Sequence, residues 1–302
     1  MFLKGAFKNS SVFVQLLMLL AVSVFCLTAS SIIILFLVVF KVGISPEVIN
    51  EIGQNLNNQP DLMREMQFLQ ILGIFIFPPI ICAWLFSDNY KEYLHIEHPI
   101  HLPVVAWTFI SIVVFVPFIN FTSYLNQQMV FPEALKGLEI WMKEMEEAMG
   151  RQLEAMLFTH NIREIIFNIL VVCVFTGIGE EFMFRGLLQT MFGRALKNPH
   201  VLVWTIAILF SAIHFQFYGF LPRMILGAYL GYLMYYTKSI WISAFAHFTH
   251  NLCTLSIVYA FQDSPEKMQQ ADTIGTGSTW WIAVASLALF AFCFLQIKKR
   301  SL

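Results

Sequence analysis

The sequence predicts an all-α membrane protein of about eight transmembrane helices in one bundle. Of its 302 residues, 58% are apolar and only 12% are charged, whereas a soluble domain carries about 25% charged residues. A chain with so few charges cannot cover a surface that faces water. Helices are expected because lipid offers the backbone no hydrogen-bond partner, and the alternating ten-residue pattern of a membrane barrel is missing.

Eight apolar runs are long enough to cross a bilayer core of about 30 Å, which takes roughly 20 helical residues. They lie near 12–41, 67–87, 101–123, 162–185, 201–218, 221–237, 239–261 and 279–297. The first run far exceeds the apolar core of a signal peptide, which has about 7–15 residues. We therefore expect it to stay in the protein as the first span.

The charge pattern predicts that both termini are cytoplasmic. Lys4 and Lys8 precede the first span and Lys298, Lys299 and Arg300 end the last, and positive charge near the spans marks the cytoplasmic side. The loops expected outside, near 43–66, 124–161 and 262–278, are rich in acidic residues. The size of the chain and its short loops favour a bacterial cytoplasmic membrane. A net charge of −1 gives no basic surface for nucleic acid.

The long loop at 124–161, between spans three and four, is expected to contain an additional amphipathic helix. Its apolar residues recur at helical spacings of three, four and seven: Leu138, Trp141, Met145, Met149 and Met156. The polar face is acidic, so attraction to anionic lipid is not expected. The helix is interpreted either as packed on the outer rim of the bundle or as a lid that controls access of a substrate.

Several other residues of the spans are interpreted as packing features. Pro78 and Pro79 should interrupt the second span, and Gly227 with Gly231 should allow close helix contact in the sixth. The cysteines have no metal-type spacing and no disulfide framework, and each lies in an apolar run: Cys26, Cys82, Cys173, Cys253 and Cys293.

Charged residues stand at the cytoplasmic end of the fourth span, in the stretch FTGIGEEFMFRG. An ionisable group inside the membrane costs roughly 2.5–3.5 kcal/mol on insertion scales, so each needs a partner or a task. Glu181 and Arg185 are four residues apart and can pair on one helix face. Glu180 is turned by about 100° from Glu181, so it is the carboxylate that faces elsewhere.

Two histidines and an asparagine are the groups that this carboxylate could face. His214 is predicted in the middle of the fifth span, and His247 and Asn251 share a face of the seventh. Each alone could be a hydrogen-bonded packing residue, as we expect for His250. Because four polar groups in three apolar helices would be costly without a task, we expect them to converge.

Three motifs together resemble the CPBP family of intramembrane proteases, also called the CAAX protease and bacteriocin-processing or Abi family. EEFMFR at 180–185 is similar to the Glu-Glu-x-x-x-Arg motif, FSAIH at 210–214 to Phe-x-x-x-His, and HFTHN at 247–251 to His-x-x-x-Asn. The resemblance covers roughly residues 160–260. It implies a catalytic core at 160–262. The predicted spans add N-terminal transmembrane helices with the loop helix at 1–159, and a C-terminal transmembrane helix with a basic tail at 263–302.

The resemblance implies hydrolysis of a peptide bond in a membrane-associated protein or peptide. Glu180 and His214 would activate water, and His247 and Asn251 would stabilise the oxyanion. Glu181 and Arg185 would be a supporting pair.

No cofactor is expected, although zinc on Glu180, His214 and His247 stays open; the helical His-Glu-x-x-His pattern is missing. The alternatives are a non-catalytic membrane protein that binds a partner or confers bacteriocin immunity, and a transporter.

Overall fold

The computed structural model of the protein describes residues 3–43 and 59–301. All regular structure within these residues is helical, as the sequence predicts. The longer helices, in chain order, are α1 (Val12–Val42), α2 (Pro60–Phe86), α3 (Leu102–Gln127), α4 (Lys136–Leu157), α5 (Ile162–Phe192), α6 (Pro199–Ala212), α7 (Phe220–Thr237), α8 (Ile240–Phe261), α9 (Pro265–Thr273) and α10 (Trp280–Ser301). Most of the outer loop predicted at 43–66 lies outside the described residues.

The chain divides into two compact units. The first consists of Met1–Leu94 and Arg151–Ala195, and the second of His95–Gly150 and Leu196–Leu302. The first unit therefore contains α1, α2 and α5. The second contains α3 and α6 to α10.

Five segments of the described chain are long and apolar enough to cross a membrane, which makes this a multi-pass membrane protein. They are Val12–Lys41, Pro60–Phe86, Leu102–Gln127, Ile162–Phe192 and Pro265–Ser301. Of the other three predicted spans, α6 has only 14 residues, and polar side chains such as Arg223 in α7 and His247 in α8 reduce the apolar character of those helices. A total of eight spans stays a prediction.

The interruption predicted at Pro78 and Pro79 takes the form of a wider helical turn. Leu72–Ile76 of α2 is π-helical, and an α-helical segment with both prolines at its start, Phe77–Phe86, follows at once. Proline is tolerated there because its missing N–H is not needed in the first turn of an α-segment.

A buried arginine joins three stretches of the first unit. Arg64 of α2 donates from Nε to Oδ1 of Asn168 at 3.0 Å and from Nη2 to the carbonyl oxygen of Met156 at 2.7 Å. It also forms ion pairs of 2.8 Å with Asp61 and Glu164. Only 3% of the Arg64 side chain is exposed, so this network satisfies a charge that has been removed from solvent.

The second unit contains an apolar core to which four helices contribute. It contains residues from α3, α7, α8 and α10, among them Ile112, Leu230, Ala246 and Ile297. The predicted close approach at Gly227 is confirmed, because a Cβ added there would lie 3.0 Å from Cδ1 of Phe210 and 3.4 Å from Cα of Ala207. A small residue on α7 therefore lets α6 pack closely beside it.

Helix α4 covers the segment in which the sequence predicts an amphipathic helix. The apolar side chains of Leu138, Trp141, Met145 and Met149 are between 38% and 47% exposed, whereas Met156 is buried. Glu146 accepts a hydrogen bond of 3.2 Å from the backbone N–H of Tyr218. Polar contacts thus hold the N-terminal part of α4 to the segment between α6 and α7, and its apolar stripe stays accessible.

Candidate active site

The predicted pairing of Glu181 with Arg185 is confirmed. Nη1 of Arg185 donates to Oε1 of Glu181 at 2.7 Å, and neither side chain is exposed. Glu180, the next residue on α5, is also buried, with 7% of its surface exposed. Two adjacent carboxylates are thus held inside the first unit, and the second of them is neutralised by an arginine one turn later.

The segment that carries both carboxylates lies between two wider helical turns. Thr176–Glu181 is α-helical, whereas Ile169–Phe175 and Phe182–Gln189 on either side are π-helical. Such turns are rare and are found disproportionately at functional sites. They change the angle at which successive side chains leave the helix, so the direction of Glu180 depends on them.

A glycine allows the carboxylate segment to pack tightly against α2. A Cβ added at Gly179 would lie 2.9 Å from Cβ of Phe75 and 3.1 Å from Cδ1 of Ile76. These distances are shorter than real Cβ contacts, so only glycine fits without a shift of the backbone. The residue beside Glu180 is therefore fixed by contact with another helix of the first unit.

The sequence predicts His214 in the middle of a span, but in the structure this residue follows the end of α6. Helix α6 ends at Ala212, and Phe215 has a left-handed φ of +53° before a 3₁₀ turn at Phe217–Gly219. His214 therefore belongs to an irregular segment at the end of a short helix. Irregular backbone is tolerated at membrane depth only where protein or a wetted cavity surrounds it.

The tautomer of His214 follows from its hydrogen bond to the backbone. Nδ1 lies 2.7 Å from the carbonyl oxygen of Phe210, and because a carbonyl can only accept, Nδ1 must carry the proton. In the neutral ring the lone pair is then on Nε2. That nitrogen is the one able to accept a proton, orient water or bind a metal ion.

The ring of Phe210 lies beside both predicted imidazoles. Its centroid is 5.2 Å from that of His214 and 5.9 Å from that of His247, with edge-to-face geometry in both cases. His247 is buried, and Asn251 follows it by four residues on the same helix α8, which places the two on one face. The second unit thus brings His214 and His247 into contact with the same aromatic ring.

A cavity of about 380 Å³ opens in the second unit next to these residues. Arg223 and His250 line it together with Asn120 and Asp272, and most of the remaining wall is apolar. Arg223 is not among the predicted site residues. Its position inside the predicted span at 221–237 could have indicated a functional role, because a cation within a span needs a partner or a task. His250 was predicted to be a packing residue, whereas its ring forms part of the wall.

Of the residues named for zinc, Glu180 belongs to the first unit, and His214 and His247 belong to the second. Within either unit, the described residues include no group of three or more His, Cys, Asp or Glu side chains that could hold a metal ion. The protonated Nδ1 of His214 is compatible with zinc, since ligating histidines donate their second ring N–H to a neighbour such as a carbonyl.

Comparison with known protein families gives a match in the part of the chain that carries the three motifs. Residues 162–253 match the model of a family described as type II CAAX prenyl endopeptidase Rce1-like. The matched segment of this multi-pass membrane protein is therefore similar to a CAAX-protease domain, as the three motifs predicted. It contains all the predicted site residues: Glu180, Glu181, Arg185, His214, His247 and Asn251. Comparison with curated proteins and with solved structures gave no match.

Proposed function

We propose that this protein is an intramembrane endopeptidase that hydrolyses a peptide bond in a membrane-associated protein or peptide. The observation that carries the proposal is the buried ion pair between one of the two motif glutamates, Glu181, and Arg185. Glu181 pairs with Arg185 at 2.7 Å with neither group exposed, and this supports the adjacent buried Glu180 as the base. The family match over residues 162–253 supports the same reaction class.

In the proposed reaction, Glu180 accepts a proton from a water molecule as the water oxygen attacks the carbonyl carbon of the scissile bond. His214 orients that water through Nε2, the nitrogen that carries the lone pair in its tautomer. The carbonyl oxygen becomes the oxyanion of a tetrahedral intermediate. This intermediate collapses when the C=O double bond re-forms and the C–N bond breaks. Glu180 returns its proton to the leaving amine, so protons and electrons balance over the cycle.

His247 and Asn251 are proposed to stabilise the oxyanion. Each can offer an N–H donor from the same face of α8, and a donor of this kind typically contributes about 10²–10³ in rate. Burial of His247 strengthens such an interaction, because water does not compete for the donor.

A glutamate-type mechanism without metal is favoured, and zinc is the alternative. If zinc is bound, Glu180, His214 and His247 would hold it, and the ion would supply Lewis acidity to the scissile carbonyl. Removal of metal by a chelator, followed by metal analysis and by addition of zinc, decides between the two. Activity that survives chelation with less than one zinc per ten chains supports the glutamate-type reading.

The second candidate function is that of a non-catalytic membrane protein that binds a partner or confers bacteriocin immunity. The first 150 residues carry none of the three motifs and could serve such a role. The full set of motif residues argues for catalysis, since a binding protein does not need two adjacent buried glutamates.

The test uses the purified full-length chain in lipid nanodiscs and a panel of fluorogenic membrane-anchored peptides, with and without a prenylated cysteine. We expect the wild-type protein to cleave at least one of them and Glu180→Gln to lower kcat/KM by about 10²–10⁴. The matched control is Glu92→Gln, which removes an exposed carboxylate of the first unit. Equal cleavage by wild type and Glu180→Gln, or no cleavage by folded wild type on any peptide, contradicts the proposal.

We also propose eight spans with both termini in the cytoplasm of a bacterium. The proposal is supported by Lys8, whose Nζ lies 2.6 Å from the Asp88 carboxylate, because this pair joins the start of α1 to the chain just beyond the end of α2. The amphipathic helix α4 would then lie on the opposite side. Cysteine labelling from each side of oriented vesicles, at Lys4→Cys and Lys299→Cys, tests the arrangement.

A further inference from the structure

A second cavity of the second unit lies where the ends of four helices meet. It has a volume of about 160 Å³, and the starts of α3 and α8 and the ends of α7 and α10 all contribute to its wall. Its polar lining includes His98, His101, Lys238 and Ser301. Because the ends of membrane helices lie near the bilayer surface, this cavity is at the level of lipid headgroups and away from the polar groups of the candidate active site.

One cation, Lys238, lines this cavity, and two further cations lie in the same last turn of α10 as Ser301; all three contact aromatic rings. Nζ of Lys238 lies 4.6 Å from the ring centroid of Tyr235, and Nζ of Lys298 lies 5.0 Å from that of Tyr236. The guanidinium of Arg300 lies 5.6 Å from the ring of Trp107. Such contacts restrict a flexible cation without neutralising it.

The backbone at this cavity is strained. Among the described residues other than glycine, only His95, Phe215 and Lys238 have positive φ, and the values at His95 and Lys238 are both +56°. The loop before α3 is tied to the start of α8 by bonds from Ile240 N to the His95 carbonyl at 3.3 Å and from Trp241 Nε1 to the Ile96 carbonyl at 2.9 Å. Strained residues that are held by such bonds cluster at ligand sites.

From this placement we propose that the cavity binds the phosphate of an anionic phospholipid headgroup. Lys238 and the two histidines would contact the phosphate oxygens, and Lys298 and Arg300 would supply further positive charge. The exposed Glu97, beside His98 in the chain, is the carboxylate of this loop. Basic pockets between membrane helices on the cytoplasmic side are suited to such headgroups, and a basic residue near the surface strengthens binding about fivefold.

The test measures lipid binding directly and does not depend on peptidase activity. Full-length protein in mild detergent is titrated with phosphatidylglycerol, with phosphatidylcholine or with inorganic phosphate, and bound lipid is counted by native mass spectrometry. We expect phosphatidylglycerol to bind at least tenfold more tightly than phosphatidylcholine. Lys238→Gln should weaken that binding about fivefold, and Lys238→Arg should retain it. Thermal melting verifies that each variant is folded.

Lys299→Gln is the matched control, because it removes the same charge as Lys238→Gln but from the C-terminal basic tail, at a residue that does not line the cavity. A loss of less than twofold in this variant supports a built site. Equal losses in Lys238→Gln and Lys299→Gln would mean unspecific attraction and would overturn the proposal. Equal binding of the two lipids, or displacement of phosphatidylglycerol by millimolar inorganic phosphate, would overturn it as well, the latter in favour of a free anion.

Discussion

The guanidinium of Arg185 and the carboxylate of Glu181 form a fully buried ion pair with an N–O distance of 2.7 Å. Removal of one partner from such a pair leaves an uncompensated charge and typically costs about 3–5 kcal/mol. Glu181→Ala should therefore lower the melting temperature strongly. Glu180→Gln should leave it nearly unchanged while lowering kcat/KM for cleavage by about 10²–10⁴. Thermal unfolding and peptide cleavage are measured on both variants, and the opposite pattern would reverse the roles assigned to the two glutamates.

Substitution by alanine at Gly179 and at Gly150 should change the free energy of unfolding in opposite directions. At Gly179 the new methyl group would meet Phe75 at 2.9 Å, so we expect a loss of about 1–3 kcal/mol through overpacking. Gly150 lies in helix α4 with open space around it, so alanine there should stabilise by about 0.4–1 kcal/mol. Chemical or thermal unfolding of the two variants decides. A stable and fully active Gly179→Ala would mean that the tight contact does not fix Glu180.

Arg64 should be among the most sensitive positions of the first unit. Arg64→Met keeps the length of the side chain but leaves Glu164 and Asn168 without their partner, so we expect a loss of about 3 kcal/mol. The control is Lys136→Met, whose exposed pair with Glu133 at 3.3 Å should contribute less than about 1 kcal/mol. Comparable melting temperatures for the two variants would show that the Arg64 network adds little.

The loop before α3 should make stability depend on pH. Burial, followed by the neighbouring charge of His98, lowers the pKa of His95 from its ordinary value of 6.5 to about 4, although the hydrogen bond with the backbone of Lys238 acts in the opposite direction. The unfolded chain therefore binds a proton between these values while the folded chain does not. Stability is present above pH 6.5 and falls as the pH is lowered towards 4.

His95→Asn removes this titration and keeps a residue that tolerates positive φ. We expect the melting temperature of this variant to fall less than that of wild type between pH 6.5 and 4. An identical pH dependence of the two proteins would exclude His95 as its source.

The parts of the site that could be predicted from the sequence depend on local spacing. A separation of four residues on a helix is enough to pair Glu181 with Arg185, because the geometry of one turn is the same in every α-helix. In the same way, the absence of a Cβ atom at Gly227 predicted a close contact between helices. These features need no knowledge of which helices are neighbours.

Other features escaped prediction because they depend on contacts between distant parts of the chain. Apolarity alone extended the fifth span through His214, whereas α6 ends two residues earlier at a turn stabilised by Tyr218 and α4. Arg64 was placed outside the second span because its partners, Asn168 and Met156, are about a hundred residues away. The π-helical turns of α5 have no signature in residue type.

Because the turns on both sides of Thr176–Glu181 are π-helical, the number of residues in them determines the direction in which the glutamates point. Loss of a single residue from Ile169–Phe175 would tighten that stretch towards ordinary α-helix and swing every later side chain by about 100° around the axis. Such a deletion leaves every residue of the three motifs unchanged, yet the glutamate side chains would contact different neighbours. Homologous chains with identical motifs and a one-residue gap here would then differ in reactivity for reasons that no substitution reveals.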